Sequence, residues 1–485
     1  MSLFFALSMA GQSLLTHKRA MDNVNKNMTN LYSEGYARRV NHLSDMPASS
    51  VYLQKIERVF DRALFDRYLN ANNQKTGYEG YQDILQQIES LYNDIMGSGL
   101  SSQLNDFFNS FNDVAVNPDD LAARYSVISK ATALVGRIRN DYNSLQNIKE
   151  KTSLSIKDNL QKLNNLTKQL AYVNKNIKFF FNDEVRLNEF LDERDRVLKE
   201  ISSLIDVKIR INEDKTVDLF TAKGFSLVVY DQVSNATFET DSSGNPVVRV
   251  GGNDITDILG NGKIGGYLKG IKKVNEAINQ LNDFTATLTL VVNKQHRQGY
   301  DLNGNTGIDF FGIDPESSLT NIDASNIVVN ITDPKQIAAA SDPAYTNSDN
   351  TNIKKIIKIK DDITGVLTAA EETDLLADGS ITIGGITYNL NNTVNYNLIK
   401  EKSFHEFYSS NMVAPVSSEL SKIKTLAEDS GFLLESIDQK IKEISSVNID
   451  EELINLTKLQ RAYEASAKII NVTDELLQTV LNLVK

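Results

Sequence analysis

The spacing Gly260-Asn261-Gly262-Lys263-Ile264-Gly265 is where a phosphate-binding loop would first be sought. Glycines at such intervals let backbone amides close on a phosphate, and the lysine supplies charge. Here no buried strand precedes the run, Asp257 stands where a P-loop needs its first glycine, and Ile264 replaces the hydroxyl that would meet magnesium. A turn before a helix is the expectation. Asp301-Leu302-Asn303-Gly304-Asn305 opens like a calcium loop, but Thr306 takes the sixth position, which needs glycine, and Gly312 the twelfth, which needs a bidentate acid. His405-Glu406 begins a zinc-protease pattern that fails at Ser409. The other histidines, His17, His42 and His296, are scattered along the chain. In Asp192-Glu193-Arg194-Asp195-Arg196, neighbouring side chains on a helix point apart, so ion pairs three or four residues apart are expected. The 485 residues include no cysteine, so there is neither a thiolate metal site nor a disulfide framework. These residues predict no catalytic site, no metal and no cofactor. A cell-wall hydrolase riding on a structural rod stays as the minor alternative.

What the chain does carry is apolar periodicity at both ends. Ile449, Leu453, Leu456, Gln460, Tyr463, Ala467, Ile470, Asp474, Leu477, Leu481 and Val484 alternate steps of four and three, a coiled-coil seam with two polar members. A second apolar line on another face comprises Leu459, Ala462, Ile469, Val472, Leu476, Val480 and Leu483. Near the start, Leu3, Leu7, Ala10, Leu14, His17, Met21, Val24, Met28 and Leu31 keep the same four-three spacing, with Phe4, Phe5 and Leu15 off the seam. The two ends are expected to pair, and one partner leaves a C-terminal face uncovered. Copies of the same chain are the expected cover. The alternative is a bundle sealed by its own domain.

Acidic residues (63) outnumber basic ones (51), for a net charge of −12, which argues against nucleic acid. No apolar run approaches the roughly 18 residues of a membrane span. Met1 to Gly11 lacks a positive n-region and lies on the seam, so it is read as mature sequence rather than a signal peptide. Between the ends, helical patterns cover Phe60 to Tyr92 and a segment around Phe107-Phe108 after Gly97-Ser98-Gly99. A long helix is expected from Asn117 as cap and Pro118 as first helical residue through Ile177, then one from Leu187 to Leu204. Period two begins at Val207, and Ile381 to Tyr388 reads as a hairpin with a two-glycine turn. Helical pattern also covers Tyr267 to His296 and Phe404 to Ile444.

The expected fold is mainly α: a nested helical coiled-coil and bundle rod built from both termini, with a small inserted β domain and a second, short β-hairpin insertion. Its boundaries are 1–31 with 447–485 for the terminal coiled coil, 32–206, 258–360 and 399–446 for the bundle, 207–257 for the β domain and 361–398 for the hairpin insertion.

Asn27-Met28-Thr29-Asn30 followed by Gly35-Tyr36-Ala37-Arg38 resembles the end signature of axial proteins of the bacterial flagellum. Further blocks, in order, are similar to the flagellar hook-associated protein 1 family: Asn117-Pro118 with Ala122-Ala123-Arg124, Leu191 to Asp195, Gly265 to Leu268, Gly299 to Asn305 with Phe310-Phe311, Val447 to Glu452 and Gln460 to Ala467. The resemblance implies a self-assembling adaptor between hook and filament, secreted unfolded through the flagellar type III export apparatus. It implies as partners copies of itself, the hook protein, a second hook-associated protein and a cytoplasmic chaperone on the C-terminal helix. A hook protein or another axial filament protein is the runner-up. The expected assembly seam takes in Leu7, Ala10, Leu14, Met21, Val24 and Met28, and Leu453, Leu456, Leu459, Tyr463, Ala467, Ile469, Ile470, Val472, Leu476, Leu477, Leu481, Leu483 and Val484. The expected junction loop holds Asn27, Asn30, Gly35, Tyr36 and Arg38.

Overall fold

The computed structural model describes residues 3–33, 35–45, 51–92 and 99–483 and is mainly helical. In chain order it runs α1 (Leu3–Thr29), β1 (Arg39–Asp45), β2 (Val51–Arg58), α2 (Arg62–Tyr92), α3 (Leu100–Val116), α4 (Leu121–Phe179) and α5 (Glu184–Leu204). Strands β3 (Val207–Ile211), β4 (Val217–Thr221), β5 (Ser226–Val229), β6 (Gln232–Val233), β7 (Ala236–Thr240), β8 (Pro246–Val250) and β9 (Asn253–Asp254) follow. Then come α6 (Gly262–His296), β10 (Phe311–Ile313), β11 (Asn321–Ile322), β12 (Ile327–Val329), α7 (Thr351–Ile359) and α8 (Ala369–Asp378). The chain ends with β13 (Ser380–Ile383), β14 (Ile386–Asn389), α9 (Thr393–Lys402), α10 (Phe404–Phe407), α11 (Ala414–Ser445) and α12 (Ile449–Leu483). Two compact units result, one of Met1–Tyr78, Asp158–Gly265 and Leu426–Lys485, the other of Glu79–Lys157 and Gly266–Thr425. Gly97-Ser98 and Val484 lie outside the described residues.

In the first unit α1 packs along α12, so the two ends of the chain do pair. Strands β3 to β6 form one antiparallel sheet and β7 to β9 another, after the change of period at Val207. Two of the three glycines that imitated a phosphate loop, Gly262 and Gly265, have a packing explanation here. Gly262 opens α6 at φ +71°, and a Cβ there would lie 2.6 Å from the Ile205 nitrogen and 2.7 Å from the Leu204 carbonyl. Gly265 sits equally close to the backbone of Leu259 and Gly260, at 3.0–3.3 Å.

The second unit centres on Phe107, Phe108, Phe111, Phe310 and Phe311, none accessible to solvent, with ring centroids 4.9 to 5.9 Å apart. The start of α4 differs from expectation. Asn117 closes α3, its N–H donating to Asp113, because a residue preceding proline is pushed out of the helical region. Helix α4 begins at Leu121, where the Asp120 carboxylate accepts from the Ala122 amide at 2.8 Å. Its 59 residues rise about 90 Å at 1.5 Å each. The helix expected over Phe404 to Ile444 is interrupted by a π-helical turn at Tyr408–Val413. Pro415 has no N–H to give the Asn411 carbonyl four residues back, and the Gln280 side chain donates to it instead at 3.2 Å.

The excursion at 361–398 is only partly a hairpin. Strands β13 and β14 do meet at Gly384 (φ +63°) and Gly385 (φ +84°), but α8 precedes them and β14 also pairs in parallel with β11. The segment is anchored to α6. Asp283 accepts from the Asn391 and Asn392 amides and the Asn395 side chain at 2.5 to 3.1 Å, and Asn293 donates to the Tyr388 hydroxyl at 2.9 Å.

Gly262→Ala forces a side chain into the Leu204–Ile205 backbone and is expected to destabilise the protein by about 2 kcal/mol or more. Gly260→Ala, with nothing within 4 Å of the new methyl, is the matched control, expected within ~0.5 kcal/mol of the parent. Urea unfolding of both variants checks this.

Candidate assembly surface

The α1–α12 pair is built from small and half-buried side chains. On α1 the seam residues Ala10 and Val24 are buried and Leu7, Leu14, Met21 and Met28 half-buried, alongside buried Ser13, Thr16, His17 and Ala20. On α12 the deepest positions are Glu452, Ser466 and Thr473, which lie between the two apolar lines. Ser466 and Thr473 turn their hydroxyls onto the carbonyls four residues back, at 2.9 and 2.7 Å, which makes them small and internally satisfied. With that sector turned inward, Leu456, Leu459, Tyr463, Ala467, Ile470 and Leu477 are half-buried. Leu453, Ile469, Val472, Leu476, Val480 and Leu481 stay 44 to 67% exposed, and on α1 Phe4 is 72% and Leu15 60% exposed. The seam members thus fall on both sides of the contact; the Leu483 side chain is not among the described ones.

The junction loop forms a tight polar network. Asn27, fully buried, donates to the Arg39 carbonyl at 2.9 Å and accepts from the Arg39 amide at 3.1 Å and the Tyr36 hydroxyl at 2.8 Å. Asn23, one turn earlier, donates to Asn41 at 2.9 Å and to the same Arg39 carbonyl. Burial pushes the Tyr36 phenol up to about 12 against the pull of Arg39, so it holds its proton and donates. Asn30 closes the end of α1 on the Lys26 carbonyl at 2.9 Å, and Gly35 turns the chain at φ +79°. Arg38 bonds Glu452 and Glu451, both at 2.8 Å, while its amide donates to Ser445 at 2.9 Å. One arginine therefore ties the end of α11 to the start of α12.

Behind the loop lies a buried ionic cluster that the sequence reading missed. Arg39 and Arg58 both reach Asp192, at 3.1 and 2.6 Å, and Arg58 and Arg194 both reach Asp195, at 2.7 and 2.8 Å. Burial opposes the Arg58 charge, but the two carboxylates outweigh it and raise its pKa. Within the charge run the expected three-residue pairing joins Glu193 to Arg196, while Arg194 pairs with its neighbour Asp195, which adjacency on a helix did not lead one to expect. Asn23 and Asn27, two amides four residues apart beside the α1 seam, hold the backbone of Arg39, one member of the cluster.

Three comparisons bear on this arrangement. Residues 85–311 match the family model described as the flagellar hook-associated protein FlgK helical domain, and residues 439–483 match that of the flagellar basal body rod FlgEFG protein C-terminal. Flagellar hook-associated protein 1 of Salmonella typhimurium is 25% identical over 96% of this chain and 97% of its own length, and that of Bacillus subtilis 25% identical over 99% and 98%. The chain belongs to the flagellar hook-associated protein 1 family. The fold also resembles that of the flagellar hook junction protein FlgK from Burkholderia pseudomallei, with a TM-score of 0.50 at 17% identity over 57% of this chain and 66% of that one. The family is structural rather than enzymatic and belongs to the extracellular flagellum. No helix among the described residues is long and apolar enough to cross a membrane.

The remaining residues considered for chemistry serve the fold of this family member. Asp301, fully buried, accepts from the Asn303 and Asn305 amides at 2.8 Å, which uses its carboxylate as a turn former. His405 meets Ser101 at 2.7 Å and His42 meets Glu57 at 2.8 Å. His296 is fully buried, accepts from the Ala338 amide at Nε2 (2.9 Å) and so donates from Nδ1 to the Ile308 carbonyl (2.7 Å).

Asn27→Ala strands the Tyr36 hydroxyl and the Arg39 amide and is expected to lower stability by about 2–3 kcal/mol, against ~1 kcal/mol for Tyr36→Phe, read from urea midpoints. Burial pushes the His296 imidazole down to about 4. The unfolded chain takes up this proton near pH 6.5 while the folded one refuses it, so stability is lost as pH falls from 6.5 toward 4, by up to ~3 kcal/mol. His296→Gln keeps a donor and an acceptor without the titration. Its stability relative to the parent should rise across that window, as unfolding curves at successive pH values will show.

Proposed function

We propose that this chain is the axial subunit that joins the flagellar hook to the filament, polymerising through the apolar residues its terminal helices leave uncovered. The observation that carries the reading is α12: packed on α1, it still presents Ile469, Val472, Leu476 and Val480, each about half exposed, at helical spacing along one face. Apolar stripes of this kind on an extracellular protein call for a partner, and a ring of identical copies supplies one for every subunit. In this reading one face of the ring meets the hook protein and the other a second hook-associated protein. A cytoplasmic chaperone covers α12 until export. The loop of Asn27, Asn30, Gly35, Tyr36 and Arg38 sets the position of α12 relative to α1, and so the direction in which the stripe faces its neighbour. The match of residues 439–483 to the rod-protein C-terminal model gives support to the idea that this helix follows a plan common to axial proteins.

Val472→Asp with Leu476→Asp places two charges on the exposed stripe. The isolated protein is expected to unfold at the same urea concentration as the parent, since neither position is buried. Cells relying on the variant should lose the protein from isolated flagella and lose motility. Incorporation at parental levels would refute the stripe as the contact. Labelled parent chain seen along the whole hook, rather than at its distal boundary, would favour the hook-protein reading.

A further inference from the structure

Two exposed stripes away from the terminal helices match each other in spacing and oppose each other in charge. On α4, Lys168, Tyr172, Lys175 and Phe179 follow at steps of four, three and four, and all four are exposed, Tyr172 at 63% and Phe179 at 78%. Such steps place them on one face of the helix. Neither lysine has an acidic partner among the described residues, and Lys178 beside them lies over the Tyr230 ring at 4.7 Å. Phe180 packs behind Phe179, stacked on Phe190 at 5.6 Å, so the aromatic end of the stripe is held in place. On α11, Glu428, Phe432, Glu435 and Gln439 repeat the same four-three-four steps, flanked by Asp429 and Leu433. Phe432 is 71% and Leu433 51% exposed. The three acids have no basic partner among the described residues, whereas the lysines further along, Lys440 and Lys442, pair with Glu443 and Asp438.

We infer that the α4 stripe of one copy docks on the α11 stripe of the next. Each stripe repels its own kind, because lysines would face lysines and carboxylates would face carboxylates. Each complements the other, aromatic ring to aromatic ring with charges of opposite sign beside them. Neither is covered within its own molecule. A contact between unlike surfaces propagates head to tail, which gives a ring or a helical run rather than a closed pair. The inference rests on the self-assembly proposed above and adds a second contact, apart from the terminal helices.

The absence of cysteine from the chain makes the test direct. Flagella are isolated from cells making the full-length chain with Phe179→Cys and Phe432→Cys together, or with either alone, and are treated with a short bismaleimide. The double variant should give a ladder of linked multimers, and each single variant none. Lys168→Glu with Lys175→Glu should reduce the ladder about tenfold, and adding Glu428→Lys with Glu435→Lys should restore it. All six positions are exposed, so unfolding midpoints of the purified variants should match the parent and exclude misfolding as the cause. If the protein is present in the flagella without a ladder, or if one single variant cross-links as well as the double, the stripe contact is wrong and the terminal-helix reading stands. If the cysteine-free parent is itself missing from the flagella, both readings fail.

Discussion

Helix α12 carries apolar side chains on two sides, and the chain offers it one long partner. Burial of apolar area is non-directional, so a two-sided helix facing a single neighbour has two solutions: bury one line and expose the other, or turn the sector between them inward. The structure takes the second, with Glu452, Ser466 and Thr473 deepest and the leucines and isoleucines at the edges. This arrangement is favourable only because the inward residues are small or paired. Serine and threonine satisfy their hydroxyls on their own helix and Glu452 meets Arg38, while the next face of α1 is taken by the β1–β2 ribbon, where Ser13 accepts from the Val51 amide at 3.3 Å. Close approach of the backbones then replaces deep interdigitation of large side chains.

A contact of small residues slides easily, since adjacent registers differ little in buried area. Directional groups at the root of the pair remove that freedom. Arg38 holds both the last carbonyl of α11 and the first carboxylates of α12, and the Asn27 side chain fixes Arg39, the residue that follows it and opens β1. The arginine-aspartate cluster beneath ties the same ribbon to α5. Desolvation offsets most of the attraction in buried pairs of this kind, so geometry is the larger part of what the cluster contributes. A shift of α12 by one residue would separate Glu452 from Arg38 and leave a buried carboxylate without a partner, which is far costlier than losing an exposed ion pair.

The sequence made the long-range plan legible where periodicity was uninterrupted. Pairing of the two ends, the long α4, the change to period two at Val207 and the two-glycine turn at Gly384-Gly385 all follow from patterns of one or two element lengths. Boundaries governed by backbone sterics were less legible. Asn117 has the chemistry of an N-terminal cap, yet it ends α3, and a turn from Asn117 to Asp120 passes the cap to Asp120, whose carboxylate accepts the Ala122 amide. Pro415 was passed over in a helix because its missing hydrogen bond is compensated by Gln280, more than a hundred residues away in sequence. The excursion at 361–398 looked like an isolated hairpin because the Asp283 and Asn293 anchors sit on α6, outside any local window.

The α1–α12 contact was half legible for a related reason. Spacing alone identifies which residues share a face of α12, but which sector turns inward depends on the size and hydrogen bonding of residues that a hydropathy pattern counts as breaks. Ser466 and Thr473 read as polar interruptions and are in fact the contact. The same reversal applies to Asn23, Asn27, Asp192 and Asp195. As isolated letters they suggest exposure or local ion pairs; together they are a buried network whose members come from α1, β1, β2 and α5. A polar residue on an apolar face is therefore ambiguous in sequence. The ambiguity is resolved only when the fold shows whether its donors and acceptors meet the protein or the solvent.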